Sequence, residues 1–390
     1  QVEVLGYFIE DGGLAVPPVV GRQGRNLIIN SNFDHWQRGT APTTLSTNFL
    51  SDGSKYDTFH ADRFNAEVIP DLTSSGSSSN IIGGMSQGTF SHSQTVVPGY
   101  PKHYLNFEGK IDANYGNTDK STVSVGQRIE NVRRFANKDV TISYYAKGSV
   151  TGNTRVSVSQ DYQALGNSAD AHTIHVEDIA VSTDWNKFTH TVSLQAFPQG
   201  TTLGDTSFFD VRWTTFSNEN NASFTNSDGA TLAGFATGLT YDGILSLAQV
   251  QVEHGQQATN FQTPISEIDL EACQKYYQIA QGGWNGAIGS EFNSDGSAAG
   301  TYGTYTSFPV PMRINPTCVK ATNILGDESF GFAAASVDDM TFAYGGTQVL
   351  TKRGFMPSRQ FSGTISNGIG DRAYLAEYEF DAELKNDITK

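Results

Sequence analysis

Apolar and polar residues alternate at a period of two along six stretches of the first 260 residues: 122–127, 140–147, 155–160, 187–194, 208–213 and 244–253. A period of two gives a strand one face for a core and one for water, so each stretch predicts a half-buried β-strand. Ahead of them, the apolar triplet Leu27-Ile28-Ile29 predicts a first strand, with Phe33, Trp36 and Phe64 as large rings to bury. Turn-rich spacers separate the strands, which describes an antiparallel sandwich, and a jelly roll is the common answer at this length.

Past Pro264 the period changes. Residues 266–277 carry Ile268, Ala272 and Tyr276 at spacing four, with Ser266 placed as an N-cap and Asp269 three residues on as a weak capping box. This predicts a short helix acting as a hinge. Strand patterning resumes at 300–310 and 317–321, and residues 373–384 predict a long closing strand. The expected fold class is all-β: an antiparallel jelly-roll β-sandwich, a short helix and a smaller C-terminal β domain. The expected boundaries are an arm or connector at 1–25, the jelly roll at 26–263, the linker helix at 264–279 and the C-terminal β-rich domain at 280–390.

The arm joins an apolar piece, residues 4–9, to a polar, proline-containing link. It cannot build a core alone. It reads either as a segment that orders on another subunit, through Leu5, Tyr7, Phe8 and Ile9, or as a floppy terminus. Two long polar spacers, 71–84 and 217–229, belong on a surface. There is no solenoid or propeller repeat, heptad run or G-x-y tract, so trimerisation would have to use the globular faces or the arm.

Composition narrows the function. The formal net charge of −15 argues against a nucleic-acid surface, which needs clustered Lys and Arg. No run of about 18 apolar residues is present to span a membrane. The first residues carry no basic n-region or apolar h-region, so no signal peptide is expected, and a start on Gln1 implies a missing initiator segment. Cys273 and Cys318 lie too far apart for a zinc knuckle; they are expected as buried thiols, with a disulfide open.

Catalytic signatures are weak. Asp161 with Glu177 and Asp338 with Asp339 are the carboxylate pairs considered for glycoside hydrolysis, and the scattered histidines, His172 and His175 included, form no nucleophile or metal motif. No enzyme activity and no required cofactor are expected. A structural calcium ion is a candidate at Asn32, Asp34 and Asp242; the competing reading has the first two capping a turn and the third beginning one. Sugar binding needs an aromatic platform with polar neighbours. Tyr56, Tyr104, Tyr115 and Tyr162 lie in or beside polar segments and are the candidates, whereas Trp185 and Trp213 are expected to be buried.

Four stretches together resemble bacteriophage tail-fibre and other virion appendage proteins. They are N-L-I-I-N-S-N-F-D-H-W-Q-R-G (26–39) with A-D-R-F (61–64); L-A-Q-V-Q-V-E-H-G (247–255) with A-T-N-F (258–261); E-A-C-Q-K-Y-Y (271–277); and F-P-V-P-M-R (308–313) with N-P-T (315–317) and D-A-E-L (381–384). The resemblance covers residue 26 to the end. His254 is a departure, standing where an acidic or polar residue is more usual. What the resemblance implies is a carbohydrate-binding-like jelly roll on a virus particle, usually a homotrimer, used for host-surface glycan adhesion or receptor binding. Its partners would be other virion proteins through the arm and a host glycan, without nucleic acid. The alternative is a purely structural head or tail decoration or connector without a ligand. No glycan-contact or catalytic residue carries over from the resemblance.

Overall fold

In a computed structural model the chain is described over residues 26–40, 56–69, 81–111, 122–162, 171–197, 203–204, 207–217, 223–225, 231–233, 239–287, 301–302, 305–325, 343–344, 347–348, 350–355, 359–360 and 371–383. The strands of the first part are β1 (Tyr56–Phe59), β2 (Phe64–Ile69), β3 (Ile81–Thr89), β4 (His103–Ile111), β5 (Thr122–Glu130), β6 (Asp139–Gly148), β7 (Gly152–Asp161), β8 (Ala171–Val181), β9 (Asn186–Ser193), β10 (Phe208–Ser217), β11 (Ser223–Thr225), β12 (Thr231–Ala233), β13 (Leu239–Thr240) and β14 (Ile244–His254). One sheet runs β1-β2-β5-β10-β7-β8, with β13 on β10; the other runs β3-β4-β14-β6-β9, and β11 pairs with β12. All pairings are antiparallel. The chain passes repeatedly from one sheet to the other, as a jelly roll requires.

Each of the six alternating stretches is a strand. Their inward residues form one core, with Val140, Ile142 and Tyr144 from β6, Leu245 and Leu247 from β14, Val123 and Val125 from β5, and Phe209 and Trp213 from β10. Tyr144 and Trp213 meet edge-on across the two sheets at 5.1 Å. Each such side chain contributes about 1.5–3 kcal/mol by leaving water.

One expectation fails: the second faces of β5, β10 and β14 are not wet. Nearly every residue of these strands is buried, including Gln127, Arg128, Asp210, Gln251 and Glu253. All three lie inside a sheet, flanked on both sides. Their polar residues have bonding partners there: Arg128 donates to Glu67 (2.9 Å), and the Arg212 Nε donates to Asp210 (2.5 Å).

The parity of β14 changes within L-S-L-A-Q-V-Q-V. Leu245 and Leu247 face the core, but so do Val250 and Val252, which alternation from Leu247 would turn outward. A bulge between Ala248 and Gln251 resolves the conflict, with Gln249 at φ +49°.

The triplet Leu27-Ile28-Ile29 is not a strand. Instead residues 26–31 lie along β14 through scattered bonds: Leu27 N–H to Val252 O, Val250 N–H to Ser31 O, and the Asn26 amide to Val250 O. The Gln127 side chain satisfies both the N–H and the C=O of Ile29. Phe33, Trp36 and Phe64 are buried as expected.

The helix α1 (Ser266–Gln274) is followed by β15 (Tyr277–Ala287), β16 (Thr301–Tyr302), β17 (Thr306–Ser307), β18 (Thr317–Leu325), β19 (Ala343–Tyr344), β20 (Thr347–Gln348), β21 (Leu350–Thr351), β22 (Gly354–Phe355), β23 (Arg359–Gln360) and β24 (Asp371–Asp381). The expected closing strand, β24, is central in its sheet, between β15 and β18. Phe308, Phe355, Tyr378 and Phe380 form a second core, separate from the first. The helix departs from expectation in its cap and its buried face. Ile265 is the N-cap, without a side-chain bond, and Asp269 and Cys273 are buried while Ile268 is exposed. Asp269 accepts the backbone N–H of Asn30 (3.0 Å) rather than closing a capping box. Cys273 and Cys318 are buried thiols.

Three of the four stretches that carry the resemblance, 26–39 with 61–64, 271–277 and 308–313 with 381–384, meet at the junction of sandwich, helix and C-terminal sheet. The Arg38 guanidinium stacks on Tyr277 at 3.7 Å and that of Arg63 on Tyr276 at 3.4 Å. Both arginines reach Glu383: Arg63 Nη1 donates to Oε2, and Arg38 Nη2 lies 3.4 Å from Oε1. Gln37 ties Asp62 to the Tyr277 carbonyl. Arg313 spans Glu130 and the Ala382 carbonyl, each at 3.0 Å.

Candidate functional site

Among the described residues, those expected at a site do not gather. Tyr162 is 3% exposed and packs edge-on against Phe197, so it is core rather than platform. Tyr56 begins β1, while Tyr115 and the arm residues Leu5, Tyr7, Phe8 and Ile9 lie outside the described residues, as do Asp338 and Asp339. Asn32 donates to Asp34 (3.0 Å) beside the Val250 end of β14, whereas Asp242 precedes the other end of that strand. Six residues of extended chain separate Ile244 from Val250, about 20 Å, so the trio expected for calcium is not one site. Asp161 pairs with Ala171, six residues along β8 from Glu177, a separation of about 20 Å. That exceeds what a glycosidase pair spans.

Tyr104 does take part in a site, with neighbours that sequence reading passed over. On the outer face of the five-stranded sheet, Ala248 packs with Phe90 and Val97, and Tyr104, Tyr145 and Trp185 pack against them. The register puts Tyr145 opposite Ala248 on one side and Lys187 on the other. Ala248 is fully buried in this cluster. Tyr104 lies over Gly88, where a Cβ would come within 2.2 Å of its ring. Trp185 meets Tyr104 edge-on at 5.3 Å and Phe90 at 5.1 Å. It is half-buried, not buried as expected, and Lys147 Nζ stands 5.1 Å from its ring centroid.

Beside this cluster a cleft of about 310 Å³ opens over Ser143, Tyr145 and Gln249. Its volume is at the low end for small-molecule sites. Pro98 and Gly99 form one wall, Asn260, Phe261 and Thr263 the other, and Lys187 stands at its edge. The bulge of β14 aims Gln249 sideways, so that its amide donates to the Pro98 carbonyl at 2.6 Å and ties the first wall to the floor. Gly99 and Tyr100 follow one another in the left-handed region, and Tyr100 is 76% exposed. The second wall is held by Glu253, which accepts from the Thr259 N–H (2.7 Å) and hydroxyl (2.8 Å).

Chemically the cleft offers hydroxyls, amides, one ammonium group and aromatic faces. Burial pushes the Tyr145 phenol up from its usual range, which keeps it a donor. Such a set suits a hydroxylated ligand with an apolar face. The signal for it was present in the alternation of β6, where Tyr144 faces the core and the adjacent Tyr145 must face away.

No family model and no curated protein matches the chain. Solved structures do. The chain is similar to a CBM4 structure at 13% identity and TM-score 0.28, covering 58% of this chain and 98% of that one. It is similar to the enzymatically active domain of bacteriophage CBA120 tailspike protein 4 at 12% and 0.28, covering 54% and 22%. A family 11 carbohydrate-binding module from Clostridium thermocellum, in complex with a β-1,3-1,4-mixed-linked tetrasaccharide, matches at 9% and 0.27, covering 53% and 97%. Identities and scores at this level leave function to the residues themselves.

Proposed function

We propose that this chain is a non-enzymatic, glycan-binding component of a bacteriophage tail fibre or similar appendage. The outer face of the five-stranded sheet contacts the sugar: Tyr145, Tyr104 and Trp185 present apolar faces, and Ser143, Gln249, Asn260 and Lys187 meet hydroxyl groups. The observation that carries this reading is an open cleft lined by a tyrosine and polar side chains beside an aromatic cluster on the outer face of the sheet. The virion setting rests on the four stretches that resemble appendage proteins. A single small cleft binds weakly, so adhesion would draw on several copies, as in a homotrimer.

One observation favours the alternative, a decoration or connector protein without a ligand. Arg38, Asp62, Arg63, Tyr276, Tyr277 and Glu383, which carry much of the resemblance, build the junction and not the cleft. A scaffold of that kind serves a structural role equally well. Glycan-array binding by the purified chain, with competition against phage adsorption, separates the two. Binding that is lost on Tyr145→Ala supports adhesion; no binding and no competition favour the structural role.

A further inference from the structure

The charge around the cleft runs against that of the chain. With 40 acidic and 25 basic residues, the protein repels anions on average. Yet the cleft is lined by a lysine and by no Asp or Glu among its described residues. Lys187 sits directly across from Tyr145 on the outer face of β9. Lys147, two residues along β6 from Tyr145, points to the same face, because side chains at i and i+2 of a strand do. Its ammonium group is held above the Tyr104 and Trp185 rings, at 5.5 and 5.1 Å from their centroids. Lys147 and Lys187 thus hold diagonal positions on neighbouring strands, about 7–8 Å apart at the backbone, each next to Tyr145.

A lysine over an aromatic pair could be merely packed. Lys187 is exposed, however, and the acids nearest to it in sequence are Asp184, at the tip of the turn before β9, and Asp178, which is bound to Arg155 on the other sheet. A neutral sugar would be served by the hydroxyls and amides alone. The lysines add a field that only an anion uses.

Resting on the glycan-binding reading above, we infer that the cleft selects a sugar unit bearing a carboxylate, a uronic acid or its like. The ring lies against Tyr145 and the carboxylate is received by Lys187, with Lys147 supplying the second charge. Carboxylate and ammonium then form a charge-assisted hydrogen bond, stronger than any neutral contact the cleft offers.

The test measures binding of the full chain to alginate, polygalacturonate and hyaluronan, and to the neutral polymers dextran and mannan. Each acidic polymer is also measured after chemical reduction of its carboxylates to hydroxymethyl groups. The expected result is binding among the acidic polymers that weakens with added NaCl and falls about tenfold on reduction. Lys187→Gln should give a similar loss, with recovery in Lys187→Arg, and Lys147→Gln should add to it. Circular dichroism of each variant checks that it folds. Equal affinity for reduced and unreduced polymers, or indifference to both lysine variants, overturns the carboxylate assignment and leaves glycan binding standing. Binding to none of the five polymers overturns both readings.

Discussion

Arg63 and Glu383, 320 residues apart, form an ion pair in which each side chain is only 1% exposed. Arg63 sits in the left-handed region at φ +71°, donates also to the Arg128 carbonyl (2.6 Å), and stacks on Tyr276, whose phenol burial pushes up to about 12. Glu383 is shared with Arg38. With Asp381, which lies 3.6 Å from Arg38, this carboxylate ties the closing strand of the C-terminal sheet to the opening stretch of the sandwich.

Glu383→Ala should therefore cost about 3–5 kcal/mol, because it leaves the buried Arg63 guanidinium without its carboxylate, while Arg38 keeps Asp62 and Asp381 within 4 Å. Urea unfolding followed by circular dichroism would show it as a lowered midpoint. The double variant Arg63→Met, Glu383→Leu should recover part of the loss, since apolar residues of similar volume carry no charge to bury. An unchanged midpoint in Glu383→Ala would mean that the junction is held by something else.

Asp62 makes the same junction sensitive to pH. Burial raises its carboxyl from 3.8 to about 6, against the lowering pull of Arg38 and of the bonds from Gln37. The native state holds the proton more tightly than the unfolded chain does, so the contribution of Asp62 is fully present below pH 3.8. It is lost as pH rises through about 6. Asp62→Asn should flatten that slope, so that the wild type loses Tm relative to the variant between about pH 4 and pH 6. Parallel curves for the two proteins would exclude Asp62 as the source.

Gly88 sets the position of Tyr104. A side chain there meets the ring at 2.2 Å, so Gly88→Val must push Tyr104 off its edge-on contact with Trp185. The expected outcome is a red shift in Trp185 emission, absent in a Trp185→Phe background, and weaker glycan binding with the fold retained. An unshifted spectrum would place the adjustment elsewhere.

The fold was legible because a period of two, over stretches like Val140 to Lys147, is enforced by a core on one face. What stayed hidden came from contacts distant in sequence. Asp269 looks like a cap three residues after Ser266, and only the fold brings the Asn30 N–H to it. Tyr162 looks exposed beside polar residues, yet Phe197 covers it. Leu27 to Ile29 looks like a strand, but the Gln127 side chain occupies the bonds of Ile29 that a neighbouring strand would need. The cleft was half legible. Tyr145 could be assigned outward from parity, whereas Pro98, Gln249 and Phe261 assemble only through the bulge and two loops.

Thr259 tests whether the closing phrase of the sandwich serves the cleft or only the fold. Its hydroxyl donates to Glu253 Oε2 at 2.8 Å and lies 3.2 Å from the Gln251 amide, while Gln251 accepts the Gln262 N–H at 3.0 Å. These bonds pin a loop whose next residues, Asn260 and Phe261, are one wall of the cleft. Thr259→Val keeps the shape and removes the donor, depriving the buried Glu253 of one bond at a cost of about 1–3 kcal/mol. The loss should fall on the loop more than on the core, where β14 keeps its partners β4 and β6. Amide exchange at 258–263 should quicken and glycan affinity should drop, while Thr259→Ser restores both. Faster exchange with unchanged affinity would assign the phrase to stability alone.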